Sequence, residues 1–204
     1  MPTALPALTD VTATRAILHE LAEHVMAAEQ YAAAGTVRLH AAPDGFMTGW
    51  FTSEDGEVVR LRFDRGELVR EYRDVVERNS RAVIAGIDAQ ACAVLCAWWS
   101  LGDAALSALA PRDGESISPV VLWPEHFDIA VTLTTATGAK ANLGFSPGDE
   151  FSAQPYVYVG PWDARTGEFW NAPFGAYRTY EQLSGEDARA AAEEFLAAAR
   201  AHLP

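Results

Sequence analysis

What most restricts this chain is a hydrophobic period that switches between two values in long runs. Over residues 9–34 apolar side chains recur three and four apart, through Leu18, Leu21, Val25 and Met26. This predicts a helix with Thr9 or Asp10 as its cap and Gly35 as its stop. The period then drops to two. Residues 36–40, 46–52 and 57–63 alternate, most clearly where Val59, Leu61 and Phe63 face one way and Arg60 and Arg62 the other. Pro43-Asp44-Gly45, Asp55-Gly56 and Arg65-Gly66 supply turns, so an antiparallel meander to about Arg73 is expected. Residues 74–86 carry no clear period.

The same order then returns. Residues 88–109 read as a helix capped by Asp88, with Val94, Leu95, Trp98 and Leu101 inside and Gly102 as a point of bending or breakage. Alternating segments follow at 120–123, 127–134, 139–146 and 156–160, with Thr137-Gly138 as a hairpin turn. Residues 161–183 form an apolar loop rich in aromatics, proline and glycine. Ser184, with Asp187 three residues on, caps a last helix whose stripe is Phe195, Leu196, Ala199 and Leu203. Runs segregated in this way indicate an α+β fold, mostly antiparallel sheet built from two meanders with N-terminal, central and C-terminal helices, rather than a doubly wound nucleotide fold. The 204 residues favour a single domain spanning 1–204 at roughly 150 residues per domain. A division into two lobes, 1–86 and 87–204, stays open.

Charge removes two partner classes. Twenty-eight acidic against 15 basic residues leave a net charge of −13, so nucleic acid and anionic membrane surfaces are repelled rather than neutralised. The longest stretch free of strongly polar residues, 91–99, is far short of the ~20 that span a bilayer. Asp10 and Arg15 interrupt any secretory pattern at the start, so a cytoplasmic protein is expected. Lys140 is the only lysine in an alanine-rich chain, a bias that GC-rich coding produces. Cys92 and Cys96 share one helical face, where a bridge is disfavoured, and read as reduced, buried thiols.

Three motifs imitate chemistry. Gly144-Phe145-Ser146-Pro147-Gly148 matches the nucleophile elbow of serine hydrolases, but the residue after the serine must lend its N–H to the oxyanion hole and proline has none. Pro147-Gly148 reads instead as the centre of a type II turn. His19 and His24 suggest a zinc helix, yet five residues are about 500° of rotation, so the rings diverge and a solvated face is expected. Cys92 and Cys96 have no second ligand pair at metal spacing. No metal is therefore assigned, and no cofactor is identified.

One constellation survives this sifting. If residues 123–134 are extended, Phe127, Ile129, Val131 and Leu133 line one face while His126, Asp128, Ala130 and Thr132 line the other. The next two strands repeat the division, placing Asn142, Gly144, Ser146, Tyr156 and Tyr158 beside His126 and Asp128. An imidazole, a carboxylate, an amide and phenols would then meet on a face whose small residues leave a hollow. The loop bearing Trp162, Trp170, Asn171 and Phe174 is expected to fold over it as a lid. His126 and Asp128 are the candidate catalytic pair; Trp123, Asn142, Tyr156, Tyr158, Trp162, Trp170 and Asn171 are candidate ligand contacts. The same two polar groups would equally serve to hydrogen-bond each other in a buried sheet.

The blocks Trp123-Pro124-Glu125-His126-Phe127-Asp128, Gly144-Phe145-Ser146-Pro147-Gly148-Asp149 and Pro155-Tyr156-Val157-Tyr158-Val159-Gly160-Pro161-Trp162 resemble an uncharacterised actinobacterial family of unknown function. The resemblance covers mainly the second half and implies no activity. A fainter one links residues 36–40 and the following meander to the sterol-carrier-like part of mycothiol-dependent isomerases, and implies apolar ligands. The reading is thus a protein that binds a small, partly apolar molecule between the second meander and the aromatic loop. Its rival is a non-catalytic interaction module, such as a homodimer formed through the exposed aromatics.

Overall fold

The computed structural model describes residues 4–185 and 187–204 and has the α+β architecture that the periodicity predicts. Helix α1 (Thr12–Glu20) runs through a π-helical stretch, Leu21–Ala27, into α2 (Ala28–Ala34). Asp10 accepts the Thr12 N–H at 2.9 Å, and Gly35 ends the run in the left-handed conformation (φ +68°).

The first antiparallel sheet contains β1 (His40–Ala42), β2 (Gly45–Met47), β3 (Phe51–Thr52), β4 (Val58–Asp64), β5 (Glu67–Tyr72) and β6 (Ser80–Val83), in the order β1-β2-β4-β5-β6 with β3 also on β4. Val59, Leu61 and Phe63 are buried as expected. On the opposite face Glu71 accepts hydrogen bonds from Arg60 (2.5 Å) and Arg62 (2.9 Å). Strand β6 falls in the stretch without a period. All four of its residues are exposed, so neither face had to be apolar and no alternation marks it.

Helix α3 (Ala89–Ser107) is capped by Asp88, which accepts the Ala91 N–H at 2.8 Å. It runs unbroken through Gly102. A Cβ there would lie 2.7 Å from Ile129 Cγ2 and 2.9 Å from Phe145 Cγ, so the glycine lets the helix settle against the second sheet. The paired tryptophans divide their contacts: Trp99 meets Phe46 of the first sheet edge to face, and Trp98 meets Phe145 of the second. Cys92 and Cys96 are free, buried, and 3.9 Å apart at sulfur.

The second sheet contains β7 (Ser116–Ile117), β8 (Val121–Trp123), β9 (Asp128–Thr134), β10 (Lys140–Ser146), β11 (Tyr156–Pro161) and β12 (Ala176–Thr179), in the order β12-β11-β10-β9-β7 with β8 also on β9. Leu39 and Leu122 exchange both backbone hydrogen bonds (3.1 and 3.0 Å) and so join β8 to the strand end of the first sheet. Ile129, Val131, Leu133, Leu143, Phe145, Val157 and Val159 share the core with α3, leaving the other face outward.

Two short elements close the chain. Thr179 and Gln182 form a reciprocal capping box on α4 (Tyr180–Leu183), and Asp187 caps α5 (Ala188–Ala201) by accepting the Ala190 N–H at 3.0 Å. Ser184 is not the cap of the last helix; its hydroxyl donates to the Tyr180 carbonyl at the end of α4. On α5 the guanidinium of Arg200 pairs with Glu115, both nearly sealed from water, and donates to the Ala110 carbonyl at 3.0 Å. Among the described residues no helix is long and apolar enough to cross a membrane.

Candidate functional site

Strand register decides which side chains share the outward face of the second sheet. Asn142 lies opposite Thr132 and Gly160, Gly144 opposite Ala130 and Tyr158, and Ser146 opposite Tyr156. Because directly paired residues point the same way, Asp128, Ser146, Tyr156, Asn142 and Tyr158 fall on one side, as the alternation predicts. A cavity of about 590 Å³ lies over this face, within the usual range for small-molecule sites. A second, of about 380 Å³, adjoins it and shares Glu125, His126, Asp128, Asn142, Tyr158 and Trp162.

At the centre is Asp128, only 7% exposed. The Tyr158 hydroxyl donates to its Oδ2, while Oδ1, equally buried, has no hydrogen-bond partner among the described residues. Glycine makes the first contact possible. Tyr158 stands on β11 and Asp128 on β9, so the phenol must cross β10, and it does so over Gly144, where a Cβ would sit 2.6 Å from the Tyr158 oxygen. The hollow expected above Gly144 is therefore filled by a ring. Burial pushes the Asp128 carboxyl above its ordinary pKa, against the opposing pull of the Tyr158 hydrogen bond and the His126 charge. Burial, and then the Asp128 charge, push the Tyr158 phenol well up, so it stays a proton donor.

A second carboxylate–phenol pair stands beside the first. Tyr156 donates to Asp149 Oδ2 at 2.6 Å, and Asp149 Oδ1 accepts the N–H groups of Phe151 (2.8 Å) and Ser152 (3.1 Å). Burial, then the bond to Asp149, raise the Tyr156 pKa. Ser146, the serine of the elbow-like motif, accepts the Gly148 N–H (3.2 Å) in a turn where Gly148 has φ +98°. Among the described residues no histidine hydrogen-bonds it.

Several expectations about placement need correcting. Residues 124–127 are a turn rather than an extended strand, because the Phe127 N–H bonds to the Trp123 carbonyl at 2.7 Å. Phe127 takes φ +54°, a conformation that costs a non-glycine residue about 1–2 kcal/mol. Its ring, buried against Trp99, Phe46 and His19, offsets that cost. The turn leaves His126 exposed at its tip, acting on Asp128 through space with no hydrogen bond between them. Trp170 packs on Phe169 and His202 beside α5, away from the hollow. Asn171 exchanges hydrogen bonds with the Tyr177 backbone (2.9 and 3.3 Å) and fastens its own loop.

The aromatic loop thus contributes walls rather than a lid. Trp162 donates to Asn142 Oδ1 at 3.2 Å, Asn142 being held also by Thr132 at 3.0 Å. Phe174 stands against Tyr156 and Tyr158. Trp123 lines the smaller cavity and is stacked by Arg38. His19 was expected on a solvated face; instead it stacks on Phe127 and lines the larger cavity, whereas His24 remains exposed. His19, Glu125 and Asp149 are lining residues that sequence reasoning did not select, and Ser146 lines the cavity from the face on which the alternation puts it. Among the described residues no group of three or more His, Cys, Asp or Glu is arranged to hold a metal ion. Comparison of the chain with protein-family models, with curated proteins and with solved structures gives no match.

Proposed function

We propose that the hollow on the outward face of the second sheet binds a small, partly apolar organic molecule, with Asp128 as its polar anchor. The observation that carries this is the half-used carboxylate. The large majority of buried polar side-chain atoms are hydrogen-bonded, since an unpaired buried acceptor costs about 1–3 kcal/mol. Asp128 spends one oxygen on Tyr158 and keeps the other for a donor that no described residue supplies. The aromatic walls of Trp162 and Phe174 give such a molecule apolar surface, and the Asp128–Tyr158 pair gives it an acceptor next to a proton donor. That pair, rather than His126 with Asp128, is the centre for any acid–base step.

The test is a fragment screen by NMR on the wild type, Asp128→Asn and Tyr158→Phe. Fragments should perturb the Trp162 indole signal in the wild type and lose affinity in both variants, with all three proteins folded. Fragment binding indifferent to both substitutions refutes the reading. Exposure of Phe151 (43%), Trp162 (61%) and Phe174 (36%) along one rim favours a second reading, a homodimer interface. Sedimentation velocity separates the two: a dimer dissociated by Trp162→Ser supports the interface, and a monomer removes it.

A further inference from the structure

We infer that the occupant of this hollow is a protonated primary or secondary amine carrying an apolar body. This rests on the binding reading above and adds the chemical class. Asp128 Oδ1 has no hydrogen-bond partner among the described residues, so with the carboxylate ionised the ligand atom facing it must be a donor. The rest of the lining decides whether that donor is charged. Glu125 and Asp149 stand with Asp128 around the larger cavity, and neither cavity has an arginine or lysine among its described lining residues. Lys140 and Arg38 stack on the rings of Trp162 and Trp123, and neither lines the hollow.

Asp149 cannot swing away to relieve the crowding of negative charge. Its two oxygens are held by Tyr156 and by the backbone of residues 151 and 152. A carboxylate or phosphate ligand would meet three carboxylates, answered only by the imidazoles of His19 and His126. A neutral ligand would leave the buried Asp128 with only the exposed His126 imidazole to answer its charge. An ammonium answers both needs: its N–H pairs with Oδ1 in a charge-assisted bond, and the faces of Trp162, Phe174 and Tyr156 receive the cation and its apolar body. The net charge of −13 draws cations toward the protein in the same sense.

Isothermal titration of the full chain at neutral pH with three matched probes tests the inference: 2-phenylethylammonium, 2-phenylethanol and phenylacetate. The amine should saturate about tenfold or more tighter than the alcohol, phenylacetate should not bind, and Asp128→Asn should lose about tenfold for the amine and less for the alcohol. If that variant does not fold, Trp162→Leu replaces it: the amine loses about threefold more affinity than the alcohol does. Equal or tighter binding of the alcohol or the acid overturns the assignment of class while leaving the binding site standing. No saturable binding of the amine at millimolar concentration also overturns it, and the fragment screen then judges the site separately.

Discussion

Gly144→Ala tests the local geometry most sharply. The new Cβ would stand 2.6 Å from the Tyr158 oxygen and 2.7 Å from Cε1 and Cζ, closer than carbon and ring atoms approach, so the phenol must leave β10. Moving it breaks the donor to Asp128, a bond to a charged group contributing about 1.5–3 kcal/mol. Against this, alanine is favoured over glycine inside a strand by roughly 0.5–1 kcal/mol. The net expectation is a loss of about 1–2 kcal/mol, or roughly 2–8 °C in Tm for a chain of this size. Urea denaturation and thermal melts read both values. The decisive comparison is the same substitution in a Tyr158→Ala background, where the obstructing ring is gone and Gly144→Ala should reverse sign and stabilise. A loss of equal size in both backgrounds would show that Tyr158 does not lie where the argument needs it.

Three further outcomes follow from contacts described above. Asp128 has its folded pKa raised by burial, so its contribution to stability is fully present below the unfolded pKa of about 3.9 and is lost as the pH rises through the folded value. Asp128→Asn should therefore gain stability relative to wild type as the pH climbs from 4 toward neutrality, measured by urea midpoints across that range; a gap that closes instead refutes it. Arg200→Ala strips the buried Glu115 of its partner and should cost about 3–5 kcal/mol in chemical denaturation, more than Glu115→Gln, whose amide oxygen still accepts hydrogen bonds from the guanidinium. Gly102→Ala should lower the melting temperature, because crowding against Ile129 and Phe145 at about 1–3 kcal/mol outweighs a helix-propensity gain of about 1.

The outward face of the second sheet was legible because its two sides differ in kind. Ile129, Val131, Leu143, Phe145 and Val157 are large and apolar, while Asp128, Asn142, Gly144 and Tyr158 are polar or small, and a period of two sorts them without reference to the rest of the chain. What the face is built to do was less visible. Pairing of Tyr158 with Asp128 depends on register across three strands and on the missing side chain at 144, which no local pattern encodes. His19 comes from the first helix, more than 100 residues away, with no signal of its destination. Trp170 and Asn171 were misplaced for a related reason: aromatic content announces that a loop will bury something, without saying against which surface. The strands β6, β7 and β12 escaped because each is short and at a sheet edge, where few residues need be apolar.

Helix α3 also bears on how the chain is made. Trp99 closes over Phe46, and Leu122 completes the backbone pairing of Leu39, so the first sheet reaches its final cover only after residues far downstream have left the ribosome. Until then a nascent chain ending near residue 86 presents Phe46, Leu61 and Phe63 to solvent or to a chaperone. A truncation placed between β6 and α3 should accordingly yield inclusion bodies rather than a soluble half-protein.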